Sequence, residues 1–127
     1  MEKITIEKII GIQVRAIRKS TRPEDLGFEG VIREQGTLEY IVSVGARKTD
    51  TIRKASWFLY KIASEHPFFQ GNKRTALLTA LLILKLDPRA YQINCSNEEV
   101  AAFVEKVGRY ESSLEEVEQW IGEKINL

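Results

Sequence analysis

The chain has 127 residues, 43% of them hydrophobic, and a net charge of +1 from 19 Lys and Arg against 18 Asp and Glu. That balance suits one ordinary core, excludes a disordered or fibrous chain, and gives no overall field that would draw the protein to nucleic acid or an anionic membrane. One cysteine, Cys95, and one histidine, His66, exclude a disulfide scaffold and fall short of the ligand set of a zinc module.

Ile6, Ile9, Ile10, Val14 and Ile17 recur at helical spacing and predict an amphipathic helix over Ile4 to Lys19. Glu7, Lys8, Arg15 and Arg18 interrupt it, so it lacks the apolar run of a signal peptide, and the cytoplasm is the expected compartment. Arg15, Arg18, Lys19 and Arg22 read as a solvated basic face, with no direct nucleic-acid binding expected. Residues 20–36 carry Pro23, Gly27, Gly30 and Gly36 and predict a loop, with a short extended piece near Val31 and Ile32. A short helix is expected from Thr37, as N-cap, to Gly45. The next should be capped by Asp50 or Thr49 and end at Glu65, because Pro67 disfavours the α region at His66.

From Asn72 the sequence is apolar nearly all the way round, which predicts the central helix of the core at about 72–86, ended by Asp87 and Pro88. Its apolar run, Thr75 to Leu84, is too short to span a membrane. Ser96 with Glu99, and Ser113 with Glu116, have capping-box spacing and open two more helices. Trp57 and Trp120 fall in amphipathic segments and read as packing residues, and Cys95 as an inert thiol. The expected fold is all-α, about six helices in a single domain over 1–127.

Chemistry gathers where the third helix ends and the fourth begins. A helix start favours acidic side chains by about 0.3–1 kcal/mol, so Lys73 and Arg74 there are placed against the dipole. A bound anion would account for them: free backbone N–H groups, the close-approach residue Gly71 and two cations form a phosphate site. With a reference pKa of about 6.5, neutral His66 can accept a proton from an attacking hydroxyl near neutral pH. Together these features point to group transfer from a nucleotide.

The segment His66-Pro67-Phe68-Phe69-Gln70-Gly71-Asn72-Lys73-Arg74 resembles the signature of the Fic/Doc family, H-x-F-x-(D/E/N)-(A/G)-N-(G/K)-R. Lys73, continued by Arg74-Thr75-Ala76-Leu77, is similar to the Doc branch; the AMP-transferring Fic pattern would place Gly at 73 and a second Arg at 77. The resemblance extends weakly to Gly30 through Leu38 and to the C-terminal helices. It implies a Fic/Doc-like helical bundle with His66 as general base and Phe68 as an apolar anchor. Gly71 and Asn72 would line the phosphate-binding helix end, with Lys73 and Arg74 neutralising phosphates. It further implies ATP as substrate, Mg2+ as cofactor, and transfer of the γ-phosphate to a Ser or Thr hydroxyl of elongation factor Tu or another translation factor. Such a protein would be a toxin that inhibits translation and is neutralised by a Phd-like antitoxin.

Gln70 departs from this pattern, standing where the family has Asp, Glu or Asn to hold the metal. A neutral amide there predicts weakened Mg2+ binding, since Mg2+ usually takes one or two carboxylates with the phosphates. Two other readings stay open: a Fic-type AMP transferase, which Lys73 opposes, and a catalytically weak or dead nucleotide- or protein-binding helical module, which Gln70 favours. Arg33 and Arg53 are further candidates for charge near the site.

Overall fold

The isoleucine stripe forms α1, Ile6–Arg18, in a computed structural model that describes residues 3–126. Thr5 caps α1, its hydroxyl accepting from the Lys8 amide at 3.2 Å. The loop that follows holds a 3-10 turn, Pro23–Asp25, and its extended piece is real: Ile32 forms an isolated antiparallel bridge with Phe68.

The second helix, α2, spans Gln35–Ala46 and starts two residues before Thr37, its expected N-cap. The reason is tertiary. The amides of Arg33 and Glu34 both donate to the Pro67 carbonyl, at 2.7 and 3.1 Å, so the chain stays extended through Glu34 and coils as soon as that pairing ends. Helix α3, Thr51–Glu65, is capped by Asp50, whose Oδ2 accepts from the Arg53 amide at 2.9 Å. Helix α4, Asn72–Leu86, ends at Asp87, whose carboxylate accepts from Thr51 Oγ1 at 2.5 Å and ties the end of α4 to the start of α3.

Two further helices follow, α5 at Asn97–Gly108 and α6 at Leu114–Lys124. Ser113 and Glu116 make the full reciprocal capping box, while at α5 Ser96 accepts from the Glu99 amide at 3.1 Å. A two-residue antiparallel pair, β1 (Gln92–Ile93) and β2 (Ile125–Asn126), joins the segment before α5 to the end of α6. The described residues thus form an all-α bundle of six α-helices with a vestige of sheet.

The helix at the centre is α3 rather than α4. Nine of its residues are buried, including Phe58, Leu59 and Ile62, and it packs against α2, α4, α5 and α6. On α4, Ala76, Ala80, Ile83 and Leu84 are buried, but Leu78 is 38% exposed. With α3 on one side and α1 on another, no element among the described residues covers that face fully, and Leu78 and Leu82 line a groove shared with α1. Trp57 is buried and donates to the Ile41 carbonyl at 2.9 Å, and Trp120 stacks on Phe103, so both tryptophans pack as expected.

Candidate functional site

The α3–α4 junction is held in shape by four sets of contacts. His66 ends α3 in the left-handed region, φ 51° and ψ 62°, a conformation that is uncommon outside glycine. Arg33 fixes it from across the chain: Nε donates to the His66 carbonyl at 2.7 Å and NH2 to the Glu65 carbonyl at 2.9 Å. Phe68 is fully buried, and Asn72 closes the loop by accepting from the Phe68 amide at 2.9 Å and donating to its carbonyl at 2.8 Å.

Gly71 begins α4 at φ 80°, a conformation that favours glycine, and a Cβ there would lie 3.0 Å from Ile17 Cδ1, which would have to give way. Gln13, fully buried on α1, binds the other side of the loop. Its Nε2 donates to the carbonyls of Phe28 and Gln70 at 3.0 and 3.1 Å, and its Oε1 accepts from the Gly30 amide at 2.7 Å.

These contacts open a cavity of about 630 Å³ at the start of α4. Its wall carries His66, Gln70, Gly71, Asn72, Lys73 and Arg74 from the junction, Ala16, Ile17, Arg22 and Asp25 from α1 and the turn after it, and Ala101, Val104 and Glu105 from α5. Phe68 lies in the core behind it. No side chain caps α4, so its first-turn amides are left without the partner that Ser or Asp would supply.

The two cations have protein partners. Lys73 Nζ meets Glu105 Oε2 at 2.5 Å, and Arg74 NH1 donates to the Ala16 carbonyl at 2.8 Å. These contacts offset part of the dipole penalty that the sequence led us to assign to a bound anion alone. The Lys73–Glu105 pair is 45% and 39% exposed, so it is worth at most about 1 kcal/mol. Glu105 is held below the usual carboxylate range by Lys73.

His66 is half-buried. Burial first, then the positive charges of Arg33 and Lys73, hold its imidazole below the ordinary histidine value; Glu65 and the Gly108 backbone pull weakly the other way. Neutral imidazole is therefore the stable form near pH 7, as a proton acceptor requires. The ring meets Tyr110 edge-on at 6.2 Å. Oxygen donors for a hard cation are present in the Gln70 side-chain amide and in Asp25, whose Oδ1 is buried without a hydrogen-bond partner. Among the described residues no three His, Cys, Asp or Glu side chains gather to hold a metal, so phosphate oxygens would complete the set.

Of the residues singled out for the site, His66, Gln70, Gly71, Asn72, Lys73 and Arg74 line one cavity, Phe68 and Arg33 support the junction from outside its wall, and Arg53 lies on the exposed face of α3 away from it. Arg33 acts through the backbone of His66 and through its charge. Gln13, Asp25 and Glu105 escaped sequence reading. Only Gln13 left a signal, a polar residue in phase with Ile9, Ala16 and Ile17 on the buried stripe of α1.

Residues 3–84 match the family model described as the Fic/DOC family, which takes in α1 to α3, the whole junction and α4 as far as Leu84. No curated protein matches the chain.

Proposed function

Because the chain belongs to the Fic/Doc family, we propose that it is a Doc-like protein phosphotransferase that moves the γ-phosphate of ATP to a Ser or Thr hydroxyl of a translation factor, elongation factor Tu by family resemblance. Membership supports a Fic-type modifying enzyme or toxin in general. The observation that carries the finer reading is a single cavity holding His66 beside the uncapped first turn of α4 with Lys73 and Arg74.

In this reading the α4 amides and the two cations hold the phosphate chain, with Lys73 exchanging Glu105 for a phosphate oxygen. The target hydroxyl oxygen attacks the γ-phosphorus while its proton passes to the neutral imidazole of His66. The bond from the γ-phosphorus to the β–γ bridging oxygen breaks, and ADP leaves. Mg2+, when bound, would screen charge on the transferring phosphoryl group; Gln70 offers it a neutral oxygen in place of a carboxylate.

A Phd-like antitoxin is the partner this reading requires. The groove between α1 and α4 suits one, being lined by apolar Ile12, Leu78 and Leu82 and by basic Arg15, Lys19 and Arg74, a pattern that fits an acidic amphipathic segment. A translation-inhibiting toxin acts in the cytoplasm, and among the described residues no helix is long and apolar enough to cross a membrane.

The test is intact-mass spectrometry of purified elongation factor Tu incubated with the protein, ATP and Mg2+, with His66→Ala as control. A His66-dependent gain of one phosphate is expected. A gain of AMP moves the chain to the Fic-type transferase, and nucleotide binding without transfer to any translation factor leaves the binding module that Gln70 favours.

A further inference from the structure

We infer that Asp25 supplies the carboxylate that the junction lacks at position 70, acting as a ligand to a divalent cation bound together with nucleotide phosphates. The inference rests on the nucleotide-transferase reading above and adds to it a residue outside the signature.

Asp25 closes the 3-10 turn after α1 and is only 5% exposed. Its Oδ2 accepts from Ser20 Oγ at 2.5 Å, which fixes the carboxyl group, while Oδ1 is buried with no partner. A buried carboxylate oxygen left unpaired is costly, and such an atom calls for something that meets it. The neighbouring cation does not: Arg22 Nε pairs with Glu24 Oε1 at 2.6 Å.

Two acidic residues line the cavity, Asp25 and Glu105. Lys73 engages one oxygen of Glu105 at 2.5 Å and Arg109 the other at 3.3 Å, a contact that stays when Lys73 turns to a phosphate; among the described residues Asp25 is the wall carboxylate with an oxygen, the buried Oδ1, that has no hydrogen-bond partner. Gln70 lines the same cavity, its backbone anchored by Gln13, and contributes a neutral amide oxygen. One carboxylate, one amide oxygen and phosphate oxygens make the donor set that Mg2+ and Mn2+ accept. The Ser20 hydroxyl then has the usual place of an outer partner that orients a ligating carboxylate. Because protein ligands alone are too few, cation and nucleotide should bind as a unit.

The experiment is calorimetric titration of the full chain with a non-hydrolysable ATP analogue, once with Mn2+ and once with EDTA. The wild-type protein should bind the analogue more tightly with Mn2+, and Asp25→Asn should lose that gain while keeping its affinity in EDTA. Loss of a partner that merely orients a ligand costs about 10–100-fold in metal affinity, so a direct ligand should cost at least tenfold. Gln70→Asp in the Asp25→Asn background should restore the gain. In the wild-type chain, Mn2+ with the analogue should also broaden the amide NMR signals of Asp25 and Gln70, a measurement that needs no variant to fold. A gain with Mn2+ that survives in Asp25→Asn, or broadening that spares Asp25, overturns the assignment while leaving the nucleotide site standing. No binding of the analogue under either condition overturns the transferase reading and the assignment with it.

Discussion

His66 sets the pH behaviour of the site. Burial and the charges of Arg33 and Lys73 lower its pKa, so the folded protein prefers the neutral ring and the unfolded chain takes up the proton first as pH falls. The resulting contribution to stability is complete above the ordinary value of 6.5 and is lost as pH drops through the lower folded value. In the proposed reaction, with His66 as the base, the same shift would carry activity into mildly acidic solution. The acid limb of a kcat/KM profile should fall with an apparent pKa below 6.5, and Arg33→Gln should move that limb upward by removing a positive charge. A limb at or above 6.5 in the wild-type protein would contradict His66 as the base. At this scale the motif residues were readable from sequence because their types and spacing are local, whereas Gln13 left only its phase on the buried stripe, and its role depends on the loops it binds, which come from distant parts of the chain.

Among the elements, the α3–α4 junction depends most on backbone conformation. Gly71 at φ 80° lies against Ile17, so Gly71→Ala should cost about 1–2 kcal/mol for the left-handed backbone alone, with more for the displaced Ile17. Urea denaturation should show this, and Ile17→Val in the same chain should recover only the packing part. Equal stability of Gly71→Ala and wild type would mean that the loop relaxes freely. Caps were the most readable elements: Asp50, Ser96 and Ser113 each bind an amide three residues on, within reach of local sequence. The start of α2 was not, because the pairing of Arg33 and Glu34 with Pro67 overrode the capping preference of Thr37.

Over the whole molecule, α3 carries the load that the sequence led us to place on α4. Ile62 is fully buried on it, and Ile62→Ala should cost about 2–5 kcal/mol, lowering the urea midpoint with an unchanged slope if the helices around α3 unfold together. A biphasic transition would instead divide the bundle. The cavity is likewise a property of the assembled helices, since α5, beyond the segment matched by the family, supplies Ala101, Val104 and Glu105 to its wall.

Helical periodicity, caps and the nine-residue junction motif were enough to read six helices, their order and the family, because each operates within a turn or two of chain. The partners of the motif are another matter. Gln13 reaches Gln70 across 57 residues, Arg74 reaches Ala16 across 58, and Lys73 meets Glu105 across 32. Such pairs, the exposure of Leu78 and the unpartnered oxygen of Asp25 depend on which helix faces lie against one another, and packing of the whole chain decides that.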